Sequence, residues 1–324
     1  MKTPRARLAH LAAHGTPPDP QTAQQMSVGL EATLARFDSE IFPYLAAGGT
    51  EVQFVYGANG RGKTHYLLAV EAAARSKGFV TARIDCPIGA SPFGSLRTTF
   101  EMVATSLIAP SGLDADAEVG VTSIIRAALA DGAVYSAAEV VAGIKASKYL
   151  CPEFRNLVLA YGRGCRDDSL TPSVRDDLEA LLAGSQTRSV TVGSLGAFGG
   201  CLIMYAAAED FIDLSRQHLD ALAQRIEPPT LLKGQFPSSI RSVWTDLDDL
   251  TDPQTSDQAF FLALADRIVN IGVESGLNDA NARRIGAALA KDSAKFAASP
   301  TSAIVREFVK RTATAVLLEV KGRG

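Results

Sequence analysis

The 324 residues carry a net charge of −3, with 47% hydrophobic and 21% charged side chains, proportions of a globular chain rather than a disordered one. A pI near 5.9 excludes a general basic field for nucleic acid. No run of about 18 apolar residues announces a membrane span. Cys86, Cys151, Cys165 and Cys201 lie far apart, with no C-x-x-C pair and no histidine at metal spacing. They read as small buried residues or as free thiols of a reducing cytoplasm. MKTPRARLAH is basic but lacks a following apolar stretch, so the expectation is a cytoplasmic protein without a secretory signal.

Taken in order, residues 5–14 make a short amphipathic helix with Leu8, Leu11 and Ala12 on one side, ended by Gly15 and the prolines at 17, 18 and 20. Lys2, Arg5 and Arg7 read as a solvated helix end. Residues 21–47 look helical, with Met26, Leu30, Leu34, Phe37 and Ile41 at helical intervals. Position alone suggests Val28-Gly29-Leu30 as a wall beside a bound base.

Residues 51–86 then read as strand, glycine-rich loop, helix, turn and strand. Val52, Phe54, Val55 and Tyr56 form a buried strand. Gly57-Ala58-Asn59-Gly60-Arg61-Gly62-Lys63-Thr64 fits the Walker A pattern G-x-x-x-x-G-K-[ST] without a mismatch. Glycines at 57, 60 and 62 let backbone N–H groups approach a polyphosphate. The helix that follows aims its positive end at the same anion. Lys63 is expected on the β- and γ-phosphates and Thr64 on Mg²⁺. The predicted cofactors are ATP and Mg²⁺, held by Gly57, Asn59, Gly60, Arg61, Gly62, Lys63, Thr64 and His65. A glycine-rich turn with a chance Lys-Thr is the bland alternative; the flanking strand and helix argue against it.

Residues 79–84 read as the next strand, ending at Asp85, a candidate for Mg²⁺-bound water. Residues 93–108 read as a helix, and 109–182 as an alanine-rich insertion with helices at 121–130, 137–146, 153–161 and 173–182. Residues 199–205 make the best remaining strand, where a hydrophobic run ending in Asp-Glu is expected. The run ends instead in Ala206-Ala207-Ala208, with Glu209 and Asp210 following too late. A helix at 211–226 precedes a loop-rich stretch holding Trp244 and the acidic DLDDL cluster, read as surface and capping residues. Helices at 259–271, 279–291 and 302–320 suggest a lid of the AAA+ kind. Arg306 in its last helix is a candidate γ-phosphate arginine.

LAAHGTPP, MSVGLE and FVYGANGRGKTHYLLAVEAAARSKGFVTARIDC together resemble the ATP-binding proteins of BREX-type bacterial phage-defence systems. LEALLAGSQTRSVTVGSLG, GGCLIMY, LAQRIEP, VWTDLDDLTDP and AIVREFVKR are similar to later family segments. The resemblance implies an α/β P-loop NTPase of AAA+ type, its parallel sheet flanked by helices, with a C-terminal all-helical lid. The expected domains are a helical segment at 1–47, a nucleotide-binding domain at 48–227 with its insertion near 109–182, and the lid at 228–324. It further implies an antiviral-defence subunit in which ATP binding controls assembly with other defence proteins or DNA. A homo-oligomer is implied too, with Arg225 and Arg241 as candidate finger residues and no membrane partner. The missing acids predict weak or absent hydrolysis. An active ATPase using Asp85, Glu209 or Asp210, and a nucleotide-independent adaptor, remain the alternatives.

Overall fold

The first helix, α1 (Pro4–His14), begins where the Thr3 hydroxyl accepts the Ala6 N–H and Pro4 presets the first turn. It stops at Gly15, whose φ of 67° is left-handed and whose N–H donates to the Leu11 carbonyl. In the computed structural model the described residues are 3–56, 60–85, 96–110, 119–129, 137–147, 152–184, 201–206, 244–246, 257–297 and 304–321. They fall into two units, Met1–Ala73 with Gly200–Gly324, and Ala74–Gly199.

In the first unit, α2 (Pro20–Met26) starts at Asp19, whose carboxylate accepts both the N–H and the hydroxyl of Thr22. The predicted continuous helix over 21–47 is broken. Ser27–Leu30 interrupts it, and α3 (Glu31–Arg36) runs through a π-helical turn (Phe37–Ile41) into α4 (Phe42–Ala46). Pro43 supplies the reason, since it has no N–H for the carbonyl one turn back and the helix widens ahead of it. β1 (Thr50–Tyr56) follows. It lies between β4 (Cys201–Ala206) and β5 (Trp244–Asp246) in a parallel sheet, with Val55 opposite both Ala206 and Thr245, and Tyr56 opposite Asp246. Helix α5 (Lys63–Ser76) leaves the loop after β1 and buries Tyr66, Leu68, Ala69 and Val70.

The remaining described elements of this unit are helices. We number its helices α11 (Asp257–Glu274), α12 (Asp279–Ala297) and α13 (Ile304–Lys321). Their amphipathic faces close on Leu8 and Leu11 of α1 and Met26 of α2 in one core with Phe261, Ile268, Phe308 and Val316. Phe261, Phe296 and Phe308 stack pairwise, with centroids 4.8 to 6.0 Å apart. The fit is close at two glycines. A Cβ on Gly272 would meet Val316 at 2.4 Å, and one on Gly15 would meet both Cγ and the carbonyl oxygen of Arg306 at 2.6 Å.

Arg7 is a correction to the sequence reading. Rather than standing in solvent it is 3% exposed. Its guanidinium donates to Gln25 at 2.6 Å and to Glu274 at 2.8 Å, joining α1, α2 and the end of α11.

The second unit holds β2 (Thr81–Ala82), α6 (Leu96–Ser106), β3 (Leu107–Ile108), α7 (Val121–Leu129), α8 (Ala137–Ala146), α9 (Pro152–Arg166) and α10 (Pro172–Leu182). The four helices expected in the alanine-rich stretch are all present. Val158, Tyr161 and Leu182 form their centre, with Ile125, Ile144 and Leu178 packed around it. The Tyr161 hydroxyl donates to Glu179 at 2.7 Å, and Arg126 lies 3.5 Å from the same carboxylate. Burial, then the Glu179 contact, pushes the Tyr161 phenol up from its ordinary value. Tyr161→Phe is expected to cost about 1.5 kcal/mol in urea unfolding, the value of one buried bond to a charged group; an unchanged midpoint would contradict it.

The expected fold class, an α/β P-loop NTPase of AAA+ type with a parallel sheet flanked by helices and a C-terminal all-helical lid, is not what the described residues build. Among the described residues helices predominate, and parallel pairing is confined to the three short strands β4, β1 and β5. The strand predicted over 79–84 shrinks to two residues and pairs antiparallel with β3, outside that sheet. Its sequence explains this. A parallel strand buried on both faces needs a near-continuous apolar run, whereas Val80, Ala82 and Arg83 are exposed here. Nor do the C-terminal helices stand apart as a lid, because their core is completed by α1 and α2. The Walker A pattern therefore lies outside the architecture that ordinarily accompanies it.

Candidate functional site

β1 is the only described strand with a neighbour on both sides, so the loop leaving its C-terminal end is anchored by two parallel ladders. Val55, near that end, is fully buried, and Glu51 and Gln53 on the same face are nearly so. Gly57, Ala58 and Asn59 lie outside the described residues. Gly60 and Gly62 have φ of 90° and 98°, in the left-handed region that glycine enters without strain. Among the described residues, a Cβ at Gly62 would find nothing within 4 Å. Backbone conformation, rather than crowding, therefore asks for glycine, and the space beside it is open.

Gly62 also begins α5: its carbonyl accepts the Tyr66 N–H at 2.8 Å. The first intrahelical bond is thus made by Tyr66, so the turn before it is the N-terminus of the helix. That turn is Lys63-Thr64-His65, with Lys63 partly buried, Thr64 exposed and Arg61 exposed just before it. Open space, two left-handed glycines and a helix N-terminus make a cradle that suits an anion such as a phosphate chain. Of the residues predicted for ATP, Gly60, Arg61, Gly62, Lys63, Thr64 and His65 are brought together in this turn.

His65 faces the N-terminal helices. Its Nε2 lies 3.1 Å from the Ser27 hydroxyl, which is itself 2.9 Å from the Ala23 carbonyl. Ser27 has a single proton, and the Ala23 carbonyl can only accept. The network therefore assigns the other proton to His65 Nε2, which donates to Ser27. Burial pushes the His65 imidazole down to about 4 from 6.5. The folded state thus favours neutral His65, and the unfolded chain binds a proton first as pH falls. Stability from this group is fully present above pH 6.5 and is lost progressively toward pH 4. The loss reaches about 3 kcal/mol for a shift of that size. Urea unfolding of the wild type and His65→Gln across pH 4 to 7 tests this. The gap between them should change across that window, and parallel curves would contradict it.

The other predicted residues are placed as follows. Asp85 is exposed in the second unit, after β2 rather than after a neighbour of β1. Arg306 is exposed in the first turn of α13, its stem against Gly15. Glu209, Asp210, Arg225 and Arg241 lie outside the described residues. β4 ends at Ala206, a residue without a carboxylate.

The residue that sequence reasoning missed is Asp246. It was grouped with an acidic surface cluster, but it ends β5 in register with Tyr56, the last residue of β1. An acid at the carboxyl end of a parallel strand beside the loop stands where open α/β sheets gather their ligands. The available signal was Trp244-Thr245-Asp246, an aromatic and β-branched pair ending in an acid, too short to stand out as a strand.

Among the described residues no helix is long and apolar enough to cross a membrane. Comparison with curated proteins and with solved structures finds no match. Residues 8–125 match the protein family described as "BREX system ATP-binding protein BrxC/D". The match runs from Leu8 in α1, through β1, the glycine-rich loop and α5, to Ile125 in α7. The match is partial and N-terminal, and the similarity to that family is confined to these residues.

Proposed function

We propose that this chain is an ATP-binding subunit of a BREX-type bacterial defence system, and that nucleotide binding controls its assembly with protein partners. One observation carries the reading. The Gly60–Thr64 turn, with two left-handed glycines and open space, joins a central parallel strand to a helix N-terminus. It does so inside the stretch similar to an ATP-binding family. In this proposal Gly57, Gly60 and Gly62 present backbone N–H groups to the phosphates, Lys63 neutralises their charge, and Thr64 with Asp246 holds Mg²⁺. The bound ion supplies charge neutralisation of the phosphate chain. A net charge of −3 favours protein partners over a general nucleic-acid contact.

Hydrolysis needs a further acid to orient the attacking water. Of the two strands flanking β1, β4 has no carboxylate and β5 ends in one, Asp246. The protein therefore binds ATP more readily than it turns it over. Titrating ATP with and without Mg²⁺, beside single-turnover hydrolysis, tests the assignment on wild type and Asp246→Asn. Loss of a charged Mg²⁺ partner should weaken Mg²⁺-dependent binding about tenfold and leave Mg²⁺-free binding unchanged. Identical Mg²⁺ dependence in both proteins would remove Asp246 from the site, and rapid wild-type turnover would contradict the binding-dominated reading.

A further inference from the structure

His65 ends the turn that begins at Lys63, yet its imidazole engages Ser27 at the C-terminal end of α2. Ser27 is 8% exposed and His65 partly buried, so this contact is largely shielded from solvent. It is bracketed by features of opposite character. On one side α2 is fixed: Arg7 donates to Gln25 and Glu274, and Gln25 donates to Glu274 at 3.3 Å, tying α2 to α1 and α11. On the other side, Gly29 has a φ of 75° and open space around it, so the link into α3 is unencumbered. A side chain adjacent to Thr64 thus rests on a braced helix, while the connection beyond that helix has room to adjust.

We infer that the Ser27–His65 hydrogen bond is a positioning contact that couples nucleotide binding at the Gly57–Thr64 loop to the docking of α2 and, through Arg7 and Glu274, to the C-terminal helices. The inference rests on the proposed function. His65 is a positioning residue: it acts on the first turn of α5 by holding it against α2. The physical reason is geometric. N–H groups bind an anion well only when their direction is fixed beforehand, and a bond from His65 to a braced Ser27 fixes the turn that carries them.

The full chain, with Ser27→Ala, His65→Ala, His65→Gln and the double variant Ser27→Ala/His65→Ala, provides the test. ATP affinity with Mg²⁺ is read by calorimetry, stability by thermal unfolding, and α2 protection by hydrogen exchange over residues 20–27 with and without ATP. Ser27→Ala and His65→Ala are expected to weaken ATP about tenfold each, the effect of one lost, largely shielded hydrogen bond. The double variant is expected to be no weaker than either, because one contact is removed twice. His65→Gln, which keeps a donor near the Nε2 position, is expected to restore most of the affinity. ATP is expected to slow exchange in α2 of the wild type and not of Ser27→Ala.

A Ser27→Ala protein that binds ATP as tightly as the wild type overturns the coupling and leaves the proposed function standing. So does a loss of affinity matched by an equal loss of stability and not recovered by His65→Gln. A wild type that shows no ATP binding overturns both, and is recognised because no affinity exists to compare.

Discussion

Lys63→Ala is expected to lower ATP affinity by at least about 100-fold, the loss of a charge-assisted contact to a desolvated phosphate chain. The variant is informative because it removes the charge while keeping a good helix former at the position. Lys63 stands in the first turn of α5, directly after Gly62, whose carbonyl takes the Tyr66 N–H. A cation in that turn opposes the helix dipole, and alanine is the better helix former. The nucleotide-free variant should therefore melt within about 0.5 kcal/mol of the wild type. Calorimetric titration of ATP into both proteins, beside their melting curves, checks the pair of outcomes. Equal affinity would remove Lys63 from the site, and a large drop in stability would make it a structural residue.

Leu11→Ala should destabilise the chain by about 3 kcal/mol, within the 2 to 5 kcal/mol range for a buried leucine reduced to alanine. Leu11 is fully buried in α1, and the core it joins is otherwise built largely from α11, α12 and α13. The helix is only 11 residues long, so local propensity alone would leave it frayed. Packing against Phe308, Val316 and their neighbours holds it. Leu318→Ala on α13 is the matched control: Leu318 is 64% exposed, and its truncation should cost no more than about 0.5 kcal/mol. Chemical denaturation of both variants separates the cases. If Leu11→Ala costs less than its exposed counterpart, α1 is not part of the C-terminal core.

What was legible in the sequence was local. The strand before the glycine-rich loop, the helix after it, the helices of the alanine-rich stretch and the three long C-terminal helices all follow from apolar spacing and from Gly and Pro punctuation. What was not legible depends on partners distant in sequence. Arg7 reads as a surface charge because Glu274, 267 positions away, carries its compensating carboxylate. β2 looks like a second parallel strand until Val80 and Arg83 prove exposed and Leu107–Ile108 takes it antiparallel. The expectation of an AAA+ sheet with a detached lid came from extending one motif to a whole architecture. That extension failed where the chain invests in helices that pack back on its own N-terminus.

The candidate site divides the same way. Gly60 and Gly62 were readable because a left-handed backbone leaves a signature in residue type. Asp246 and Ser27 were not, since each is singled out only by a neighbour, Tyr56 of β1 for the first and His65 of α5 for the second. A search for the missing acid confined to the end of β4 meets Ala206 and stops there, while register puts an acid at the end of the strand on the other side of β1.

The central claim, that the Gly57–Thr64 loop holds ATP, is tested most directly by calorimetric titration of ATP with Mg²⁺ into the full wild-type chain, with Lys63→Ala as the blank. The account predicts saturable one-site binding in the wild type and none in the blank at the same concentrations. Absence of saturable binding in the wild type, or equal binding in both proteins, would contradict it.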